Sequence, residues 1–291
     1  MTVRRVRASL GALLLSTTAA LLAVPAPARS ATVPGVTRVL VFVEENHSLA
    51  QMQSQMPYAF SLAQRYGYAT NFHATRHPSL PNYIAIASGS TRAITDDKAP
   101  KAHQLIGRSV FGASLRKHHG AKIYAESMPS PCAQFDAGNY AVRHNPWAYF
   151  IDERAACNRD DRPLTSLRAD ISAGRLPAVG MVIPDLSHDA HNGSLASADA
   201  WFKSQMQRVF AGPDWQSGRL AVVLTADEDD RTSGNKVLTV VIHPSQHHHV
   251  VSRRLTQYSL TRLLNDVAHA PRLGAAATAP ALSAAFGLPM H

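Results

Sequence analysis

The chain has 291 residues, of which 45% are hydrophobic and 17% are charged, so it contains enough apolar side chains for a folded core. Its formal net charge of +9 favours anionic substrates or surfaces. Because the lysines and arginines are scattered along the chain instead of clustered in one segment, a nucleic-acid partner is not expected.

The first thirty residues have the pattern of a secretory signal peptide. Three arginines precede an apolar run at residues 10–24, and small residues follow it. Cleavage after Ala28 or Ser30 fits this pattern, so residues 1–30 are expected to be removed from a secreted protein and residues 31–291 to form a single domain. An uncleaved membrane anchor is the alternative. The apolar run is short for a span, and no later segment is long and apolar enough to cross a membrane.

The first element after this segment is an unbroken apolar run at residues 39–43. Such a run predicts a strand that is buried on both faces, as in the middle of a parallel sheet. Glu45 and Asn46 follow it directly. In open α/β sheets ligands bind just past the carboxyl ends of the strands, so these two side chains are candidate oxygen ligands. A strand that ends in a solvated acidic turn is the alternative from this stretch alone.

A serine between two prolines marks the next segment of interest. Ser79 stands between Pro78 and Pro81, near the start of a helix that is predicted to end at Gly89. Two interpretations remain open at this point. Either Ser79 only caps the helix, or its hydroxyl faces a phosphate held at the helix N-terminus.

The remaining elements alternate between strands and helices. Four more strands are predicted, at residues 121–125, 178–183, 220–225 and 237–242, the last two antiparallel to each other. Helices are predicted at residues 49–66 with an interruption at Pro57, and at 110–118, 164–173, 196–210 and 258–268. Residues 128–163 are expected to be irregular, and a loop of this length is usually functional. It contains Cys132 and Cys157, which in an exported chain are expected to form a disulfide, with two separate buried thiols as the alternative.

Three of the predicted strands are followed by acidic or histidine-rich turns. If the sheet is mostly parallel, these turns share one edge. Clustered carboxylates repel one another unless a cation neutralises them, and oxygen-rich ligands with one or two histidines suit a divalent ion. A serine beside such an ion loses its proton more easily and becomes a nucleophile. The side chains concerned are Glu45, Asn46, Asp189, His191, Asp227 and Glu228.

Taken together, these segments resemble the bacterial phosphoesterase family, which contains acid phosphatases and phospholipases C and belongs to the alkaline phosphatase-like superfamily. The resemblance rests on Glu45-Asn46, on His-Pro-Ser-Leu-Pro-Asn-Tyr at residues 77–83, on the turn at 184–191 and on Asp227-Glu228. It extends over most of the chain after the signal segment. The resemblance implies an α/β fold, namely a three-layer sandwich with a mostly parallel central sheet and helices on both faces.

The resemblance also implies roles for individual residues. Ser79 corresponds to the nucleophile and to a metal ligand. The implied ligands of the firmly bound divalent ion are Glu45, Asn46, Asp227 and Glu228, while Asp189 and His191 correspond to a second site or to leaving-group contacts. His144 and Asn82 are candidates for substrate binding. Relatives often carry histidine where this chain has Gln257, so a complete second metal site is doubtful.

The expected function is therefore a secreted, metal-dependent phosphoric ester hydrolase of the acid phosphatase type. It would act on a small-molecule or lipid phosphoester through a phosphoseryl intermediate at Ser79. A phospholipase C-type phosphodiesterase is the alternative within the family. From another class, the alternative is a cation- or glycan-binding protein without turnover. A sulfatase-like or phosphonate-cleaving activity is disfavoured because those enzymes usually carry a cysteine or threonine nucleophile in a different local motif.

Overall fold

The computed structural model describes residues 1–3 and 34–291. The predicted signal peptide, apart from its first three residues, lies outside the described residues, and it stays a prediction. The chain divides into two units, Met1–Thr32 and Val33–His291. Among the described residues, no helix is both long enough and apolar enough to cross a membrane.

The unit that begins at Val33 is built from alternating strands and helices. In the described part of the chain the strands are β1 (Arg38–Glu44), β2 (Gly67–His73), β3 (Ala121–Ala125), β4 (Asp161–Pro163), β5 (Val179–Ile183), β6 (Leu220–Ala226), β7 (Lys236–Ile242), β8 (His249–Val251) and β9 (Leu255–Thr256). The α-helices are α1 (Leu49–Gln55), α2 (Pro57–Arg65), α3 (Ser79–Ser88), α4 (Val110–Arg116), α5 (Arg154–Asp160), α6 (Thr165–Ser172), α7 (Leu195–Ala211), α8 (Pro213–Gln216), α9 (Gln257–Val267) and α10 (Leu282–Phe286).

All of these strands belong to one sheet, in the order β4-β3-β5-β1-β6-β7-β2-β8, with β9 beside β2. The five strands from β4 to β6 are mutually parallel, and β7 is antiparallel to both of its neighbours, β6 and β2. It follows that β2 runs in the same direction as β1. The carboxyl ends of β1, β2, β5 and β6 therefore lie at one edge of the sheet, as the sequence predicted for three of them.

The sheet is the middle layer of a three-layer α/β sandwich, which confirms the predicted fold class. Helices α3, α4 and α9 pack together, and α1, α2, α7 and α8 form a second packed group. Phe42 of β1, for example, meets Phe202 of α7 edge to face, with 5.2 Å between the ring centroids. Because strands and helices surround it, β1 is buried at every position after Arg38. Burial on both faces explains its unbroken apolar sequence.

The five predicted strands are confirmed, and so is the antiparallel pairing of β6 with β7. The interruption of the first helix at Pro57 is also confirmed. Met56 ends α1 and precedes α2, and Pro57 occupies the first position of α2, where its missing N–H removes no intrahelical bond.

Strand β2 is absent from the sequence prediction. It contains Gly67 and Asn71, which have low strand propensity, and its pairing with β7 is irregular between Ala69 and Phe72. Only the contact with β7 and the parallel partners on its other side stabilise it as a strand. The missed strand matters because it ends at His73, shortly before Ser79, and so brings that serine to the edge where the acidic turns lie.

The expectation that residues 128–163 are irregular is partly wrong. Within this stretch the chain forms three 3-10 turns, at Val142–His144, Pro146–Tyr149 and Ile151–Glu153, followed by α5 and β4. The predicted disulfide between Cys132 and Cys157 is present and links the start of the segment to α5. The first two 3-10 turns pack against α3, and α5 and β4 pack against β3. Short-range sequence patterns carry little information about such long-range packing.

Asp161, the first residue of β4, gives a prediction about stability. It is fully buried and accepts a hydrogen bond from Asn145 Nδ2 at 2.8 Å. Burial raises the pKa of Asp161 to about 8, against the opposing effects of Asn145 and Arg154. The folded chain therefore keeps a proton that the unfolded chain releases above about pH 4. The stabilisation is fully present below that pH and is lost as the pH rises from there through 8.

Replacing Asp161 with asparagine should remove this pH dependence. We expect the wild type to lose stability relative to Asp161→Asn between about pH 4 and pH 8, by an amount on the order of a few kcal/mol. Urea unfolding of both proteins across this pH range measures the difference. Parallel stability curves for the two proteins would show that Asp161 is not protonated in the fold.

Candidate active site

The turns after β1, β5 and β6 are joined by backbone hydrogen bonds. The amide of Glu45 donates to the carbonyl of Asp189 at 2.8 Å, and the amide of Asp227 donates to the carbonyl of Glu44 at 2.9 Å. The amide of Asn46 donates to the Asp227 carboxylate at 3.2 Å. The strand ends thus converge at a single place, and their side chains point into a shared polar cluster.

Ser79 belongs to this cluster. It is the first residue of α3, it is 3% exposed, and its Oγ donates to Glu45 Oε2 at 3.1 Å. The N-cap is Pro78, and no side chain makes a capping bond there, so the interpretation of Ser79 as a cap is wrong. The amide of Leu80 donates to Asp97 Oδ1 at 2.9 Å. This amide of the first turn is therefore occupied by a carboxylate.

Asn46 shares the same acceptor as Ser79. Its Nδ2 donates to Glu45 Oε2 at 3.0 Å. The backbone of Asn46 has φ = 55°, a left-handed conformation that asparagine tolerates better than most residues. This conformation turns the chain sharply at the end of β1. It lets the Asn46 side chain fold back beside Glu45 while its backbone amide faces Asp227.

His144 lies between two buried carboxylates. Its Nε2 is 2.8 Å from Glu45 Oε1, its Nδ1 is 3.2 Å from Asp189 Oδ2, and its ring stacks on Tyr83 with centroids 5.1 Å apart. Burial lowers the pKa of His144, but Glu45 and Asp189 outweigh this effect and raise it to about 9. At neutral pH the imidazole is a cation, and it supplies positive charge to the centre of the acidic cluster.

Glu45 and Asp227 are fully buried neighbours whose pKa values move apart. Burial raises the pKa of both, but His144 reverses the effect at Glu45 and lowers its pKa to about 2. For Asp227, burial and the negative charges of Glu45 and Glu228 raise the pKa well above its ordinary value. When no cation is bound, we therefore expect Glu45 and Asp227 to share one proton.

Glu228 is directed toward a different set of partners. Its Oε2 is 3.2 Å from Asn82 Nδ2 and 3.0 Å from His77 Nδ1, and the other nitrogen of His77 is 3.0 Å from Asp229 Oδ1. Burial, followed by the charge of Glu45, raises the pKa of Glu228 to about 8. His77 was not among the predicted site residues, although its position two residues before Ser79 is a signal that could have indicated it.

Asn82 is placed differently from the prediction. It is fully buried, its Nδ2 donates to the carbonyls of Arg76 and Pro78 at 2.7 and 3.0 Å, and its Oδ1 accepts from the amides of Thr75 and Arg76. Because these bonds use the amide group fully, Asn82 has no free donor for a substrate. The structure gives it a positioning role, in which it holds the turn that presents Ser79.

Asp189 and His191 do not face a common point. Asp189 accepts the backbone amide of His191 at 2.8 Å through Oδ1, while its Oδ2 faces His144. His191 is exposed, its Nδ1 contacts Asn192 at 2.9 Å, and its ring centroid is 6.3 Å from that of His144. The two residues are close in sequence but lie at the buried end and the surface end of the same turn.

Comparison with known proteins identifies the chain. Residues 42–269 match the model of the Phosphoesterase family. The chain belongs to the phosphoesterase family. Membership places it among hydrolases that act on phosphoric esters, as the sequence resemblance implied.

Two curated relatives and one solved structure illustrate the similarity of this phosphoesterase. A phosphatidylinositol-3-phosphatase of Mycobacterium tuberculosis is 29% identical over 89% of this chain and 85% of its own length. An acid phosphatase of Aspergillus fumigatus is 27% identical over 60% of this chain, but the match spans only 41% of that protein. A Vibrio parahaemolyticus protein of the alkaline phosphatase superfamily shares the fold, with 12% identity, a TM-score of 0.59 and coverage of 87% of this chain and 72% of its own.

Buried carboxylate oxygens without hydrogen-bond partners indicate that the site of this phosphoesterase can bind a cation. Asp227 Oδ2 is buried and accepts no hydrogen bond from any described residue. Two further buried oxygens, Glu45 Oε1 and Asp189 Oδ2, accept no well-aligned hydrogen bond from the described residues, although the His144 ring nitrogens lie 2.8 and 3.2 Å away. Leaving carboxylate oxygens buried with so few partners is costly, and a bound cation would remove that cost. The residues placed to hold it are Glu45, Asp227, Ser79 and Asn46.

The wider ligand set that was predicted is not gathered as tightly. Within residues 34–291, two groups of side chains place three possible ligand atoms within 4.8 Å of one another. One group is Glu126, Asp185 and His188, and the other is Asp161 with the two disulfide cysteines, so neither contains a predicted ligand. Glu228 is engaged by Asn82 and His77, and Asp189 is separated from Glu45 by His144. The prediction that Glu228, Asp189 and His191 are metal ligands therefore lacks geometric support.

Gln257, at which the sequence resemblance made a second metal site doubtful, has a structural role. Its Nε2 donates to the carbonyl of Asp227 at 2.6 Å, and its Oε1 accepts from the hydroxyl of Thr75 at 2.7 Å. It thus links the start of α9 to the turn after β6 and to the segment before Ser79. Both ends of its amide are used, which leaves no free atom for a second metal.

Proposed function

We propose that this phosphoesterase is a secreted, metal-dependent phosphatase of the acid phosphatase type that works through a phosphoseryl intermediate at Ser79. The observation that carries the proposal is the contact of the Ser79 hydroxyl with Glu45, in a cluster that also contains Asn46 and Asp227. Export rests on the signal-like sequence at residues 1–30.

In the first step, the Ser79 hydroxyl releases its proton to solvent and Oγ attacks phosphorus in line with the leaving oxygen. An O–P bond forms, the bond to the leaving group breaks, and the leaving oxygen takes up a proton from water. Water then attacks the phosphoserine from the side that the leaving group vacated, and Ser79 is released together with inorganic phosphate. Ser79 suits this role because α3 is buried throughout and holds its first residue rigidly at the sheet edge. The hydrogen bonds of Asn82 to the carbonyls of Arg76 and Pro78 stabilise the turn that precedes Ser79.

A divalent cation bound here would lower the pKa of the Ser79 hydroxyl and stabilise negative charge on the phosphoryl oxygens. This contribution is needed because Glu45, the acceptor of the hydroxyl hydrogen bond, has a pKa of about 2 and is a weak base. Glu45, Asp227, Asn46 and Ser79 are the residues that would hold the cation.

His144 is proposed to act on the substrate side of the cluster. As a buried imidazolium it keeps Glu45 ionised and fixes the positions of the Glu45 and Asp189 carboxylates. Both of its ring nitrogens face these carboxylates, so its proposed contribution to substrate binding is the positive charge that it brings close to the phosphoryl group. Stacking on Tyr83 holds the ring in one orientation.

The relatives favour phosphate monoesters as the substrate class, since their names describe a lipid phosphatase and an acid phosphatase. A direct test is turnover of p-nitrophenyl phosphate and of bis(p-nitrophenyl) phosphate by the purified protein. We expect the monoester to be hydrolysed with a kcat/KM at least about tenfold higher. A preference for the diester would favour the phospholipase C-type alternative, and no turnover of either would favour the non-catalytic one.

A further inference from the structure

A cavity of about 440 Å³ lies next to the candidate active site. Most of the residues that line it are not part of the acidic cluster. His77 connects the two, since it contacts Glu228 and also lines the cavity. This volume is within the range of small-ligand pockets in proteins. Two arginines, Arg231 and Arg254, line other parts of the cavity.

The two arginines reach the cavity from different elements. Arg231 lies in the turn after β6, which is held by Asp229. Arg254 directly precedes β9, whose pairing with the end of β2 places it beside His73. Neither guanidinium group has a hydrogen bond or an ion pair with another side chain in the part of the chain that the structure describes. Both arginines are exposed, and both line the same cavity.

The acid that lines the cavity does not neutralise these arginines. Asp229 is buried, its Oδ1 accepts from His77 and from the Arg231 amide, and its Oδ2 accepts from the amides of Ser233 and Asn235. With its oxygens used in this way, the carboxylate orders the turn and fixes the start of the Arg231 side chain. The cavity thus keeps a positive character toward a ligand.

We propose that this cavity is an accessory anion subsite that binds a second phosphate group of the substrate through Arg231 and Arg254. Planar guanidinium groups bind phosphate oxygens in pairs, and such charge-assisted bonds are among the stronger polar contacts in proteins. The proposal rests on the proposed function, because the first phosphate would occupy the site at Ser79. It narrows the preferred substrates to phosphomonoesters that carry a further phosphate a short distance away.

The test uses the monophosphates and bisphosphates of a series of short α,ω-diols, which differ only in the second phosphate and in its distance. In the wild type, we expect kcat/KM to be about tenfold higher for the best bisphosphate than for its monophosphate. In Arg231→Gln and in Arg254→Gln this ratio should fall to near the statistical value of about two. Arg253→Gln, at an exposed neighbouring arginine that does not line the cavity, is the matched control and should keep the ratio.

Equal kcat/KM values for mono- and bisphosphates across the series, or a ratio that neither arginine variant lowers, would overturn the subsite. Calorimetric measurement of ligand binding to an inactive variant tests the subsite independently of the proposed catalytic function. The best bisphosphate should bind Ser79→Ala more tightly than its monophosphate does, and the additional Arg254→Gln change should remove the difference. If no substrate is turned over but this binding difference is found, the subsite stands and the catalytic proposal is wrong.

Discussion

Replacing Ser79 with alanine is expected to lower kcat/KM for p-nitrophenyl phosphate by about 10³-fold or more, the scale observed when a nucleophile is removed from a catalytic unit. The physical reason is that the Ser79 hydroxyl contacts Glu45 within the buried acidic cluster and is the only group proposed to bond to phosphorus. Steady-state kinetics measure the loss. Acid quenching of the wild type followed by mass spectrometry should show a phosphopeptide that contains residue 79.

Ser88→Ala is the matched control for this variant. Ser88 is the last residue of the same helix, is equally buried, and donates its hydroxyl to the carbonyl of Ile84 at 2.9 Å. Its replacement removes a buried hydroxyl from α3 without changing the cluster, so activity should stay within about threefold once stability is taken into account. Full activity of Ser79→Ala would exclude the covalent mechanism.

Removal of the metal is the second change with a large expected effect. A strong chelator should reduce turnover to background, and added divalent ions should restore it. Because burial and the charge of Glu45 raise the pKa of Asp227, the metal-free site holds a proton there that a cation must displace. Titration calorimetry in buffers of different ionisation enthalpy should therefore detect about one proton released per bound ion.

Asp227→Asn should weaken the binding of the ion by about 100-fold and abolish the proton release. Asp230→Asn is the control, since Asp230 lies in the same turn but contacts Gln51 and Thr232 outside the cluster. Unchanged turnover after exhaustive chelation would show that the enzyme needs no metal. Metal binding without proton release would show that Asp227 is ionised in the metal-free protein.

The negative charge of the buried acidic cluster is partly neutralised by groups of the protein itself. Glu45, Asp189 and Asp227 are among the acids that are buried together at the sheet edge. The raised pKa of His144 favours a positive charge between two of them, and the raised pKa of Asp227 favours a neutral carboxyl group there. The sequence indicated that these carboxylates repel one another and that a bound cation would neutralise them. It did not indicate that a histidine from the segment 128–163 would be placed between two of the acids.

Much of the fold was predictable because the strands are simple in sequence. Strands buried on both faces, such as β1 and β6, require unbroken apolar runs, and the helices between them carry caps and a proline that mark their limits. Strand β2 escaped detection because its identity depends on pairing with β7, and residues far apart in sequence make that pairing.

The sequence by itself determined the positions of five strands along the chain and the acidic turns that follow three of them, because each follows from local apolar patterns. The α/β class followed from the family resemblance of these segments. Only the tertiary structure decided which oxygens meet. It placed Ser79 on Glu45, turned Glu228 toward His77, used up the amide of Asn82 and moved His191 to the surface. The reason is that side-chain partners depend on the register of distant strands and on the path of connecting turns, which a one-dimensional pattern does not contain.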